Sequence, residues 1–486
     1  MRNLCVVLVV ASATLLFRSD ALVAQKPMTE DGHYVLTVAR SLAAGDGFSV
    51  EGTPTTGVQP MFTVLVAPAF WLTDDPYVSL RVVILLQLLL WGAAAITLGS
   101  IAARASPHAG VEQERHLRWV ASFLFLSSTY LWMQCFNGLE TGLYLFVLAA
   151  TWRVSLASMG AWPKALTTGV FLGFCVLARV DAVLIVGPAA LLLAKGAPRM
   201  RLAQAASTCA MAALVSSPWW LYVYATGDGL MPSSGLAQLD ISPTLGRVWL
   251  ASSALFQAMV PHVYTSHYAT DWMQLIRLGL GLLLIWSFFS RRNSHERPAG
   301  FGSAVALGAA LLALWYAATS MAIHFYPRYL APLALVGVMM LVFVLGPWLA
   351  RRRLIVLVVI AAPCLGAVVI SHTGKFSGNP RYSEQLPLVE AYVPPGDWVG
   401  AGQSGTLGYF RNKVLNLDGK VNAEALDHRG SVDGYLRTQG VRWFCDDAAY
   451  TERLLGPDPP AQGWEVVAAR GRFTLYRRVD EHEAGR

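Results

Sequence analysis

Runs of apolar residues recur along this 486-residue chain at lengths that reach, or nearly reach, the roughly 17–25 residues a helix needs to cross a bilayer. They fall near residues 3–18, 78–103, 118–135, 139–157, 165–178, 181–195, 202–225, 272–290, 301–321, 326–349 and 354–372. In hydrocarbon each backbone N–H and C=O must find an internal partner, so runs of this kind are expected to be helical. The spacing predicts about eleven transmembrane helices, the fifth and sixth being short runs divided by Arg179 and Asp181. A shorter run, 60–72, lies inside a polar loop and reads as a helix on or dipping into the membrane. The first run resembles a signal peptide, because Arg2 precedes it. The following SDALVAQ, however, is a poor small-x-small cleavage site, so a retained helix is expected.

Only 14% of the residues are charged and 55% are hydrophobic, against about a quarter charged in ordinary soluble domains. The net charge of +7 does not imply nucleic acid, since the basic residues form no continuous patch. They obey the positive-inside rule instead. With the N-terminus in the cytoplasm, Arg104, Arg115, Arg118, Arg153, Lys164, Lys195, Arg199, Arg201, Arg291, Arg292, Arg297 and Arg351 to Arg353 fall on cytoplasmic ends. The other face then carries every polar cluster of chemical interest: Glu30/Asp31, Asn137–Thr141, Arg179/Asp181, a loop over 226–271, and His324–Tyr329. The expected location is the cytoplasmic (inner) membrane, multi-pass.

Past residue 373 the long apolar runs stop. Strand-like stretches (DWVGAG, KVLNLDG, VRWFCDD, GWEVVAA, RFTLYRRV) alternate with helix-like ones (SGTLGYF, NAEALDH, GYLRTQ, YTERLLG). The expected organisation is a transmembrane domain over 1–372, with a first external loop over 19–77 carrying interfacial helices, and a small extracytoplasmic α/β domain over 373–486. Cys445 is the single cysteine of that polar part, so it holds no internal disulfide, and no C-x-x-C or Cys/His cluster suggests a metal site. P-loop, G-x-S-x-G and H-E-x-x-H motifs are missing, which weakens ATP-driven, hydrolase and zinc-protease readings.

Each candidate cluster has a plain account beside a chemical one. Glu30 and Asp31 head a helical stretch, where Thr29 would cap and the dipole would favour two acids by about 0.3–1 kcal/mol. A carboxylate there could equally be a general base toward a hydroxyl, worth roughly 10²–10⁴ in rate. Arg179 and Asp181 form a mutual ion pair, or Arg179 faces an anionic group such as phosphate. His324 and Arg328 belong to an interfacial aromatic belt or to a site at a helix end. Glu140 is a helix-start acid or a site residue. Finally, Gly400-x-Gly402-x-x-Gly405 followed by Asp418 mimics a dinucleotide fingerprint. Tight turns explain those glycines better on a face with little access to such a cofactor.

Taken in order, several segments resemble one family. These are the acidic pair followed by Val38-Ala39-Arg40-Ser41-Leu42-Ala43-x-Gly45-x-Gly47, then Thr56-Gly57-Val58-Gln59-Pro60, Gly138-Leu139-Glu140-Thr141 and Ala178-Arg179-Val180-Asp181-Ala182. Arg328-Tyr329-Leu330-Ala331-Pro332 and Asn416-Leu417-Asp418-Gly419-Lys420-Val421-Asn422 continue the series. The pattern is similar to GT-C class glycosyltransferases, in particular bacterial arabinofuranosyltransferase-like and protein-mannosyltransferase-like enzymes that use polyprenyl-phosphate sugars.

The resemblance implies an inverting transfer from a lipid-linked sugar to a hydroxyl of a cell-envelope glycan, lipid or protein. Asp31 matches the catalytic acid and Glu30 its neighbour. Arg179, Arg328 and His324 are then candidates for the donor phosphate, with Asp181, Tyr329, Glu140 and Gln59 as further substrate contacts. Relatives often carry a lysine after a Pro-Ser/Thr turn, whereas Pro232-Ser233-Ser234 here is followed by Gly-Leu-Ala-Gln. Another cation must then take the phosphate. A divalent metal would find no ligand set beyond Glu30/Asp31. The rival readings are a transporter or flippase for a lipid-linked saccharide, and a non-catalytic binding protein that keeps the fold.

Overall fold

The apolar runs fold as helices, and the polar interruptions decide where each one stops. The computed structural model describes residues 1–105, 110–227, 229–263, 271–290, 300–349, 354–374 and 378–479. The N-terminal part comprises α1 (Arg2–Ala13), α2 (Glu30–Ala44), α3 (Pro76–Arg104), α4 (Val111–Leu126), α5 (Thr141–Ser155), α6 (Ala161–Ala178) and α7 (Val183–Leu193). It continues through α8 (Pro198–Ala225), α9 (Leu245–Met259), α10 (Asp271–Ser290), α11 (Phe301–Thr319), α12 (Leu333–Leu349) and α13 (Leu354–Ile370). Among the described residues four helices, Pro76–Arg104, Ala161–Ala178, Trp272–Ser290 and Phe301–Thr319, are long and apolar enough to cross a bilayer. Shorter apolar helices accompany them, among them Arg2–Phe17, Val180–Leu193, Leu333–Gly346 and Leu354–Ile370. The basic residues Arg291, Arg292, Arg297 and Arg351 to Arg353 lie outside the described residues.

Three boundaries differ from the sequence reading. The run 118–135 breaks at Ser127–Ser128, where Ser128 caps a new helix through Leu131 N and donates to the Pro261 carbonyl at 2.7 Å. The run 326–349 breaks before Pro332, which disfavours a helical residue ahead of it. Tyr326–Tyr329 is therefore a separate turn, and α12 begins only at Leu333. The expected loop over 226–271 contains α9, whose face with Ala251, Ala254 and Ala258 is buried. Its polar serines and Arg247 disguise a helix that is too short to register as a span.

Small residues let the helices approach. On α6, a Cβ built at Gly169 would lie 2.6 Å from the Thr208 carbonyl of α8, and one at Gly173 would lie 2.5 Å from Val215 Cβ. Close backbone approach of this kind is how helices associate where no water drives them together.

Beyond residue 379 the chain builds an α/β unit with strands β1 (Val399–Ala401), β2 (Val414–Asn416), β3 (Trp443–Asp447), β4 (Trp464–Arg470) and β5 (Phe473–Arg478). The sheet order is β2-β1-β3-β5-β4; β1 runs parallel to β2 and β3, and β5 is antiparallel to β3 and β4. Both faces are buried, so the successive residues Trp443, Phe444 and Cys445 of β3 are all apolar and buried. Trp443 and Cys445 join one core with Leu407 and Phe473, while Phe444 joins the other with Leu436 and Trp464. Helices α14 (Gly405–Phe410), α15 (Val432–Thr438) and α16 (Ala448–Leu455) complete the unit. The carboxyl ends of β1 and β2 point at the start of α2, and that placement creates the site.

Candidate active site

Thr29 caps α2, its hydroxyl accepting from Gly32 N at 3.3 Å and donating to the Asn137 carbonyl at 2.9 Å. The helix closes on Gly45 in the left-handed conformation. With 3.6 residues per turn, adjacent side chains diverge by about 100°, so Glu30 and Asp31 leave the helix in different directions.

Asp31 enters a cavity of about 350 Å³. Its Oδ1 accepts from Lys420 Nζ at 3.0 Å and its Oδ2 from Arg328 Nη1 at 3.3 Å. Burial pushes the Asp31 carboxyl up, but Lys420 and Arg328, with His324 further out, hold it below the usual carboxylate range. Lys420 in turn is pulled down by burial and raised more strongly by Asp31 and Asp418, the latter 3.6 Å away.

Glu30 turns to the α/β unit. It accepts from Thr406 N at 3.0 Å and from the Thr406 hydroxyl, with Arg381 3.8 Å away. Burial raises its carboxyl despite Arg381 and Thr406. At the other end of α2, Arg40 donates to the carbonyls of Tyr409 at 2.9 Å and Gly408 at 3.2 Å. None of the three fingerprint-like glycines has positive φ, so tight turns do not explain them: Gly405 answers to this docking, and Gly400 and Gly402 answer to close packing inside the α/β unit. A Cβ at Gly405 would meet the Glu30 carbonyl at 2.3 Å, and one at Gly402 would meet the Tyr450 ring at 2.3 Å.

The opposite wall is a second ion cluster. Arg179 Nε lies 2.9 and 3.0 Å from the Asp181 carboxylate oxygens, and Nη1 lies 3.0 Å from Glu140 Oε1. Tyr316 donates to Asp181 at 2.7 Å. The Arg179 guanidinium lies over the Tyr329 ring at 4.7 Å, and Tyr329 stacks on Tyr316 at 4.2 Å. Gln59 accepts from Val180 N at 3.0 Å and fixes the break between α6 and α7.

Seven of the nine residues singled out from sequence, Asp31, Gln59, Glu140, Arg179, Asp181, Arg328 and Tyr329, line this one cavity. Glu30 faces the α/β unit instead, and His324 is exposed on the turn Ile323–Phe325. Two residues were missed. Lys420 sits inside the Asn416–Asn422 segment that carried part of the family likeness, which was the available signal. Tyr316 lies in an apolar helix with nothing to mark it. No group of three or more His, Cys, Asp or Glu suited to a metal occurs among the described residues.

Next to the polar cavity lies an apolar groove of about 370 Å³ between α6, α7 and α8. It shares Val183, Trp220 and Leu230 with the cavity and continues past Val186, Ala212 and Leu221.

A bundle of apolar helices with α2 and an α/β unit docked against it is a GT-C-like membrane fold. Two solved structures share it over nearly their whole length. ArnT from Cupriavidus metallidurans bound to undecaprenyl phosphate overlays with a TM-score of 0.62 at 12% identity, covering 98% of this chain and 98% of that one. The same protein in the apo state gives 0.59 at 13%, with the same coverage. The arabinofuranosyltransferase AftD from Mycobacteria gives 0.47 at 14%, over 99% of this chain and 40% of that one. No protein-family description and no curated protein matches the sequence.

Proposed function

We propose that this protein is a membrane glycosyltransferase that moves a sugar from a polyprenyl-phosphate donor to an acceptor hydroxyl with inversion. The observation that carries the reading is a single one. A largely buried carboxylate, Asp31, shares a cavity with cations, and an apolar groove opens from that cavity. A lipid-linked donor needs all three: an apolar channel for its tail, cations for its phosphate, and a base at the sugar. That ArnT, a protein of this fold, is bound to undecaprenyl phosphate in one of its structures supports a polyprenyl-phosphate donor here.

In the reaction the acceptor O–H passes its proton to Asp31, and the oxygen attacks the anomeric carbon. The carbon–oxygen bond to phosphate breaks on the opposite face, its electron pair leaving with the polyprenyl phosphate. Arg328 meets the phosphate charge, and His324 adds positive potential from the rim. Arg179, with Glu140, Asp181 and Gln59, shapes the wall against which the sugar is held. Glu30 supports the base by fixing the helix that carries it. The membrane part carries eleven spans with the N-terminus in the cytoplasm, and transfer takes place on the outer face of the cytoplasmic membrane.

Incubating the purified full chain in detergent with labelled polyprenyl-phosphate sugars and a hydroxyl acceptor tests the reading. Labelled product is expected. A flippase or a binding protein would make none in detergent, because neither breaks the sugar–phosphate bond.

A further inference from the structure

Lys420 reaches the cavity from the α/β unit, and its backbone is held from three sides. Its carbonyl accepts from Ser233 Oγ at 2.9 Å, and its N–H donates to Asp418 Oδ1 at 2.9 Å. Gly57 presses so close that a Cβ there would lie 1.8 Å from the Lys420 carbonyl. The main chain is therefore fixed, while the four-carbon stem leaves the ammonium able to change partner. Its partners are Asp31 at 3.0 Å, on the oxygen not taken by Arg328, and Asp418 at 3.6 Å.

Two cations thus converge on the two oxygens of one carboxylate, and a phosphate offers oxygens in a comparable fork. The Arg179 cluster differs: one cation there faces two acids, Glu140 and Asp181, whereas the two cations Lys420 and Arg328 face Asp31 and Asp418. An arriving anion would leave two buried acids uncompensated there, a costly exchange. At Asp31 the exchange leaves a carboxylate facing the acceptor, which is what a base requires.

We propose that Lys420 and Arg328 together form the donor-phosphate site, and that the phosphate displaces Asp31 from them and so releases the base. The inference rests on Asp31 being the base. It makes the order of events compulsory: donor first, then proton transfer from the acceptor oxygen to Asp31 as the sugar–phosphate bond breaks. It also makes the α/β unit part of the active site, since one of the two phosphate ligands comes from it. The missing lysine after Pro232-Ser233-Ser234 is then supplied from elsewhere, across a contact with Ser233 itself.

Undecaprenyl phosphate without a sugar is the probe, titrated into the full chain in detergent. Lys420→Met should weaken binding roughly tenfold or more, the loss expected of one buried charged contact, and Lys420→Arg should restore most of it. Asp31→Asn should tighten binding several-fold, because the competing carboxylate charge is gone. Equal binding by wild type and Lys420→Met, or weaker binding by Asp31→Asn, overturns the proposal while leaving the transferase reading intact. A wild-type protein that binds no polyprenyl phosphate overturns both. Should Lys420→Met fail to fold, the sign of the Asp31→Asn change decides alone.

Discussion

Asp31 Oδ1 and Lys420 Nζ stand 3.0 Å apart although 389 residues separate them in the chain. One belongs to α2, the other to the loop after β2. Their meeting puts the Asp31 carboxylate at the seam between the helix bundle and the α/β unit.

Replacing Asp31 by Asn should reduce transfer by roughly 10²–10⁴, the range for a positioned general base. The variant should remain inserted and monodisperse, since an amide keeps the shape. Product formation per mole of folded protein is the measurement, and near-normal turnover would remove Asp31 from its role.

The pH profile should carry the signature of the clamp. Lys420 and Arg328 hold the Asp31 carboxyl below its usual value near about 4, so in the free enzyme the base stays ionised as pH falls past that point. The acid limb of kcat/KM reports the free enzyme and that of kcat the substrate complex. With phosphate on the cations, the limb of kcat should lie at higher pH than that of kcat/KM. In Lys420→Met the limb of kcat/KM should move up toward that of kcat.

Glu30 should affect stability more than chemistry. Its bonds to Thr406 tie α2 to the α/β unit, and Glu30→Ala leaves those donors unmatched at about 1–3 kcal/mol. Because burial already favours the uncharged form, Glu30→Gln should be milder. Thermal unfolding beside specific activity separates the two effects.

Arg179→Ala should cost about 3–5 kcal/mol, because the buried Glu140 and the partly buried Asp181 would be left without their cation. Arg179→Lys should recover only part, since an ammonium cannot copy the fork on Asp181 while reaching Glu140. Denaturant midpoints in detergent report this directly.

Gly57→Ala probes the support under Lys420. The added methyl must displace the Lys420 carbonyl, and overpacking of this kind typically costs about 1–3 kcal/mol. Affinity for polyprenyl phosphate should fall with it, although Gly57 bears no functional group. Unchanged affinity would show that the loop yields without moving the ammonium.

How far could this have been read from residues alone? Apolar length located the helices, because the bilayer imposes it, and the strand-like stretches after 373 became the sheet. What stayed hidden depended on three dimensions. That Glu30 and Asp31 diverge follows from the helical period, but which one meets the cavity depends on where the α/β unit docks. Arg179 read either as the partner of Asp181 or as facing a phosphate, and its contact with Glu140, 39 residues away in sequence, emerges only in three dimensions. Lys420 was visible as a letter in a familiar segment, yet only the fold brings it to Asp31. Helix α9 escaped because the apolar criterion is tuned to spans.

The grip of α2 on α14 carries a final consequence. Glu30 accepts from the amide end of that short helix, and Arg40 donates to its carbonyl end. The two helices therefore run in the same direction in a fixed register, and a slip by one turn, about 5.4 Å, would break both contacts. A hybrid protein that joins this membrane part to a related α/β unit should work only when residues 30–40 and 405–410 travel together, however well the rest of the surfaces fit.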